Sequence, residues 1–182
     1  MKKLTSFFVV ALCLLPLGAR AGLSVAADLV SAESLFFDTA HLRMDVCLDL
    51  TEEFGLRLPI TVTAERIKGG PYWVEGGIFL DYHPLGWPLF LSLSLAQVGV
   101  LDDRRAGDEP RVLFLNEMAV GWAFAIPPGF VLTPMVIIRD PNRVFEGEYA
   151  EMGDIFTHYP MVRCSLLFGW TFPVGRTKAG GE

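Results

Sequence analysis

Apolar and polar residues alternate along most of this chain. From His41 to Leu50, Leu42, Met44, Val46, Leu48 and Leu50 fall on one side and Arg43, Asp45, Cys47 and Asp49 on the other. A period of two sends successive side chains to opposite faces of a strand, whereas a helix would scatter these charges around its circumference. After the short turn Thr51 to Gly55 the rhythm resumes, with Leu56, Leu58, Ile60, Val62 and Ala64 opposite Arg57, Pro59, Thr61, Thr63 and Glu65. Leu89, Leu91, Leu93 and Leu95 interleave with Phe90, Ser92, Ser94 and Ala96. Phe114, Met118, Val120, Trp122 and Phe124 share a face, with Asn116 the exception, and Val162 to Phe172 alternate in the same way. Three less regular segments, Leu23 to Val30, Tyr72 to Tyr82 and Phe130 to Arg139, complete eight predicted strands. The uncharged stretch Ala119 to Ile138 is long enough for a membrane helix. Pro127-Pro128-Gly129 near its middle, and the small–large alternation before it, predict a hairpin instead.

Alternation of this kind fits a soluble barrel or sandwich with an apolar core, or a membrane barrel with an apolar outer wall and a polar interior. Strand and connection lengths favour the membrane barrel. The segments run to roughly 8–13 residues, and a tilted membrane strand needs about 9–11. Short connections at 51–55, 83–88 and 127–129 alternate with longer ones near 31–40, 66–71, 101–110 and 140–158. Short turns on one side and long loops on the other are the habit of outer-membrane barrels. The predicted fold is therefore an all-β, eight-stranded antiparallel up-and-down transmembrane barrel.

That register sends charges of both signs inward: Arg43, Arg57, Arg139 and Arg163 against Asp45, Asp49, Glu65, Glu75, Asp81 and Glu117. Eight strands enclose a space that side chains can fill, so paired charges are expected to plug the lumen. Phe79, Phe90, Leu113, Leu115, Val131, Met135 and Ile137 add an apolar component to the same face. Tyr82, Trp87, Trp122, Phe124, Phe130, Trp170 and Phe172 are expected as an aromatic girdle at the turn end, and Tyr72 and Tyr159 at the loop end.

Composition sharpens this picture. The 182 residues are 52% hydrophobic and 20% charged, with a net charge of −6 and a mean hydropathy of +0.40. Such apolar content excludes a disordered chain, and the acidic balance argues against a nucleic-acid partner. Lys2 and Lys3, the apolar run Ser6 to Leu17 and the Ala19-Arg20-Ala21 site predict a cleaved secretory signal over 1–21. Its removal takes three basic residues and no acid, which brings the mature net charge to −9. The barrel is expected over 22–172, followed by a short periplasmic tail, 173–182.

The hydrophobic rhythm, the turn and loop alternation and the aromatic last strand Val162–Phe172 resemble the small eight-stranded bacterial outer-membrane barrels of the OmpX and OmpW types. The resemblance implies insertion by the outer-membrane assembly machinery, contact with outer-membrane lipid and a monomeric state. It also implies a role in surface interaction, envelope structure or the passage of small apolar molecules. Loops 101–110 and 140–158 are the expected meeting place for a surface partner.

No CxxC, HExxH, P-loop or GxSxG motif occurs in the mature chain, and no catalytic residue, metal or cofactor is expected. Two alternatives remain open. One is a soluble periplasmic lipocalin-like barrel that binds a ligand. The other is a lipid-modifying barrel enzyme with His41 or His158 as base, Asp38 or Asp154 beside it and Ser31 or Ser34 as nucleophile. Cys47 is expected to face inward and Cys164 outward, which predicts free thiols. The acids Asp140, Glu146, Glu148, Glu151 and Asp154 give the last loop a charge able to attract a cation or a basic surface, without calcium-loop spacing.

Overall fold

A computed structural model describes residues 22–31, 38–65, 70–103, 109–156 and 159–173. The expected signal segment 1–21, Ser34, His158, the middle of the 101–110 loop and the tail after Pro173 lie outside the described residues.

The chain forms a closed antiparallel up-and-down barrel of eight strands: β1 (Gly22–Asp28), β2 (Thr39–Asp49), β3 (Phe54–Glu65), β4 (Tyr72–Tyr82), β5 (Leu89–Asp102), β6, β7 (Phe130–Arg139) and β8 (Val162–Pro173). β6 is interrupted at Asn116 and Ala123 into Arg111–Leu115, Glu117–Trp122 and Phe124–Ile126. Each strand pairs with the next, and β1 pairs with β8, Val25 facing Trp170, so the ladder has no free seam. Asp28 finishes β1 where its backbone ladder ends. Its Oδ1 accepts the Val30 and Leu166 N–H groups, both at 3.0 Å, and its Oδ2 accepts Arg163 Nη2 at 3.1 Å. A carboxylate here stands in for missing backbone partners on β8, which must be satisfied once buried.

The wall is inside out relative to a soluble protein. Leu42, Met44, Ile60, Leu93 and Val136 point outward and are exposed, while Arg43, Asp45, Arg57, Glu75 and Arg139 point inward and are buried. A contiguous exposed apolar wall of this size marks contact with lipid. A soluble ligand-binding barrel would need these faces the other way round. No helix among the described residues is long and apolar enough to cross a membrane.

One bulge modifies the register. On β5, Phe79 faces Ser94 while Ile78 faces Ala96, so Leu95 is the extra residue. The β5–β6 pairing slips by one across the same place, from Leu93↔Met118 to Gln97↔Leu115. Parity therefore changes, with Phe90 and Ser92 inward before the bulge and Gln97, Gly99 and Leu101 inward after it. Gly99 matters because its inward face carries no side chain. The Trp73 indole occupies the space a Cβ would take.

The 140–158 connection, expected as a plain loop, contains a helix, α1 (Glu146–Ile155). Phe145, Tyr149, Met152 and Phe156 recur at helical spacing, and the last three are buried against the barrel mouth. Asp140 organises the entry by accepting the Val144 and Phe145 N–H groups. The opposite end has tight turns, including Pro127–Gly129 with a cis bond between Pro127 and Pro128.

Met44 is mid-strand, outward and 55% exposed. In water, replacing such a residue by arginine would be nearly neutral. In a bilayer Met44→Arg is expected to destabilise the barrel by about 2–4 kcal/mol, measured by denaturant unfolding of the protein folded into liposomes.

Candidate functional site

The interior is where strand geometry gathers the charged side chains. A ladder of ion pairs crosses it from the turn half to the loop half. Asp81 Oδ2 on β4 accepts Arg57 Nη2 at 2.7 Å and Nε at 2.9 Å. Arg57 Nη1 also lies 3.5 Å from Asp45 Oδ2 on β2, and Arg43 Nε donates to Asp45 Oδ1 at 2.8 Å. Arg43 Nη1 then stands 3.8 Å from Glu117 Oε2 on β6. Glu117 Oε1 accepts Arg139 Nε from β7 at 3.1 Å, and Arg139 Nη2 lies 3.9 Å from Glu75 Oε1, back on β4. Every member is at least nine-tenths buried. The guanidinium groups also lie over aromatic rings, Arg57 at 4.4 Å from the Phe90 centroid and Arg139 at 3.8 Å from that of Tyr159. Bringing so many charges out of water is costly, and the mutual pairing offsets that cost.

Above the ladder the loop end is filled by an apolar cluster of Trp73, Leu101, Leu115, Tyr149, Met152, Phe156 and Tyr159. Its polar atoms are tied down. Trp73 Nε1 and the Tyr159 hydroxyl donate to Glu75 Oε2 at 2.9 and 3.1 Å, and the Tyr149 hydroxyl donates to the Asn116 carbonyl at 2.7 Å. Burial is the main cause that pushes both tyrosine hydroxyls well above their ordinary pKa.

Below the ladder lies a cavity of about 610 Å³ that reaches the turn end, where Thr51 and Glu52 are exposed on its rim. Asp49, Asp81, Cys47 and His83 line one part of it, and Phe90, Ala123, Val131 and Leu167 another. His83 Nδ1 donates to the Trp87 carbonyl at 3.2 Å.

Eight of the ten inward-predicted charges are buried in the interior: Arg43, Asp45, Arg57, Glu75, Asp81, Glu117, Arg139 and Arg163. Asp49 stands exposed at the cavity mouth, and Glu65 is half-buried at the other rim, accepting a hydrogen bond from Thr39 Oγ1 at 2.8 Å. Asp28, the partner of Arg163, is a further interior acid. Tyr82, Trp87, Trp122, Phe124, Phe130 and Phe172 are exposed at the turn end, with Trp170 half-buried against Phe130. Tyr72 is half-buried at the loop end, its hydroxyl bonded to Asp102. Tyr159 departs from the expected girdle. It is 8% exposed and turned into the interior, because it precedes β8 and is drawn under α1 by Phe156 and Arg139.

His41 is buried, its Nδ1 at 2.9 Å from Thr63 Oγ1. The Ser31 hydroxyl is buried with no hydrogen-bond partner among the described residues, so a Ser–His nucleophile contact is not formed there. Cys47 and Cys164 are free, one on the cavity wall and one on the outer face. Of the loop acids, Glu146, Glu148, Glu151 and Asp154 are spread along α1, with Glu151 paired to Arg111, and Asp140 is buried ahead of the helix. Trp73 and α1 carry the loop-end cluster without having been singled out by the alternation. The helical spacing of Phe145, Tyr149, Met152 and Phe156 was the available signal.

Two outcomes follow from this arrangement. Arg57→Met strands Asp81 in the interior and leaves Asp45 to Arg43 alone, and is expected to cost about 3–5 kcal/mol. The double variant Arg57→Met/Asp81→Leu should recover part of that loss, read by denaturant unfolding in liposomes. The tyrosine shifts favour the folded cap while the unfolded hydroxyls remain neutral. That contribution is complete below about pH 10 and is lost as pH rises above it. Hydrogen exchange in α1 should therefore accelerate above about pH 10, and Tyr149→Phe/Tyr159→Phe should flatten the dependence.

No protein-family model matches this chain, and no curated protein matches it. Among solved structures it is similar to the crystal structure of Neisserial surface protein A (NspA). The two are 11% identical, with a TM-score of 0.33, over 83% of this chain and 92% of that one.

Proposed function

We propose that the protein is a non-enzymatic barrel of the bacterial outer membrane whose lumen is closed on the loop side. On this reading it acts through its loop-end surface in surface interaction or envelope structure. The observation that carries the reading is the combination of an outward apolar wall with an interior ion-pair ladder capped by α1. The wall requires lipid, and a closed barrel is the form in which strands cross it. The ladder and cap leave the loop half without a water-filled path, which speaks against a general diffusion pore. They also speak against passage of small apolar molecules straight through the barrel.

The loop-end face then carries the recognition. It presents the acids of α1 and the exposed side chain of Val144. Loops held by a rigid scaffold are the usual seat of binding. Outer-membrane lipid, the assembly machinery and a surface partner are the corresponding partners, with the barrel itself monomeric.

Export through the predicted signal and residence in the outer membrane are tested together by fractionation. The protein should stay with outer membranes through urea and carbonate washes, and unheated and heated samples should migrate differently on a gel. Purified barrel in planar bilayers should give no stable conductance steps. Release by urea or carbonate would overturn the membrane reading, and steady open-channel currents would overturn the closed lumen.

A further inference from the structure

The turn-end cavity differs from the rest of the interior. Here the carboxylates of Asp49 and Asp81 share one space with the Arg57 guanidinium and the His83 imidazole. Arg57 is already engaged, with Nε and Nη2 on Asp81 Oδ2 and Nη1 toward Asp45. The second oxygen of Asp81, Oδ1, is buried and has no hydrogen-bond partner among the described residues. A buried, unmatched carboxylate oxygen is costly unless something donates to it. Facing this acidic side, Phe90, Val131 and Leu167 make an apolar wall. The volume, about 610 Å³, falls in the range of small-molecule sites.

We propose that this cavity is a binding site for a small amphipathic cation that enters from the turn end. An ammonium head donates to Asp81 Oδ1 within reach of Asp49, and an apolar or aromatic body lies along Phe90, Val131 and Leu167. Among the described residues, the one guanidinium lining the cavity, Arg57, is held by two aspartates, which leaves an anion only the His83 imidazole. A neutral alcohol of the same shape can donate one hydrogen bond but brings no charge to the two carboxylates. The site is independent of the loop-end role, because the ladder and the apolar cluster lie between the two ends.

The test uses the full barrel in lipid nanodiscs and three probes of matched shape: 2-phenylethylamine, 2-phenylethanol and 3-phenylpropionate. Equilibrium dialysis against empty nanodiscs separates the site from partition into lipid. The amine should bind saturably at one site, about ten-fold tighter than the alcohol, and the acid should not bind. Val131→Trp fills the cavity from its apolar side and should abolish saturable binding while the heat-dependent gel shift persists. Asp81→Asn should weaken the amine about ten-fold. Because it also disturbs the Arg57 pair, Asp49→Lys serves as a rim variant outside the buried ladder and should weaken the amine as well. Equal binding of amine and acid, no saturable amine binding, or amine binding unchanged in Val131→Trp would each overturn the proposal.

Discussion

Everything in this molecule depends on the rule that a backbone surrounded by hydrocarbon must satisfy all its hydrogen bonds internally. A sheet meets that rule only by closing, and closing places the first strand against the last. β1 is short, ending at Asp28, whereas β8 runs on past it. The Asp28 carboxylate makes up the difference by taking the Leu166 N–H and Arg163 together. A side chain thus completes what the backbone of β1 leaves short. Once the seam is closed, alternation acquires an inside and an outside, and each inward charge has to find its partner within a narrow space.

The two halves of that space are filled differently, and residue size decides which half is solid. Toward the loop end, Trp73 lies against Gly99, and Leu101 and Leu115 meet α1 and Tyr159. Large side chains set against a glycine close that half at the density expected of an interior. Toward the turn end the inward positions include the small residues Ser24, Ala26, Ala123 and Thr133 beside Phe90, Val131 and Leu167. Small residues on strands fixed by ladder geometry cannot collapse to fill the gap. One barrel thereby has a packed half and a hollow half, and the ion-pair ladder forms the boundary between them.

The period-two pattern made the strands and their faces legible, since a one-residue error would reverse every side chain. The inward positions of Arg43, Asp45, Arg57 and Arg139 follow from that parity alone. Three features escaped it for physical reasons. The bulge at Leu95 falls inside a clean Leu/Ser run, and only the partners on β4 and β6 reveal the extra residue. The face of Tyr159 is set by no strand but by α1 drawing it inward. In α1 itself, Gly147 and Gly153 lower helix propensity, and acids surround the apolar stripe. That stripe forms a helix because the barrel mouth buries it, which no local pattern states.

The placement of charge bears on how each end meets its surroundings. The barrel interior sets Asp28, Asp45, Glu75, Asp81 and Glu117 against Arg43, Arg57, Arg139 and Arg163, and Asp102 and Asp140, also buried, are held at the loop end by the Tyr72 hydroxyl and by backbone N–H groups. It is close to balanced, as a desolvated space must be. Among the described residues, further acids stand at the ends, on α1 at one and at Asp49 and Glu52 at the other. At the loop end those acids point into water and are weakened by screening. At the turn end Asp49 and Glu52 stand exposed at the cavity rim, and Asp81 lies buried behind them, where screening is weaker and the attraction for a cation correspondingly stronger. The same composition thus yields a solvated acidic cap and an acidic pocket. The difference arises from which half of the barrel the large side chains happen to fill.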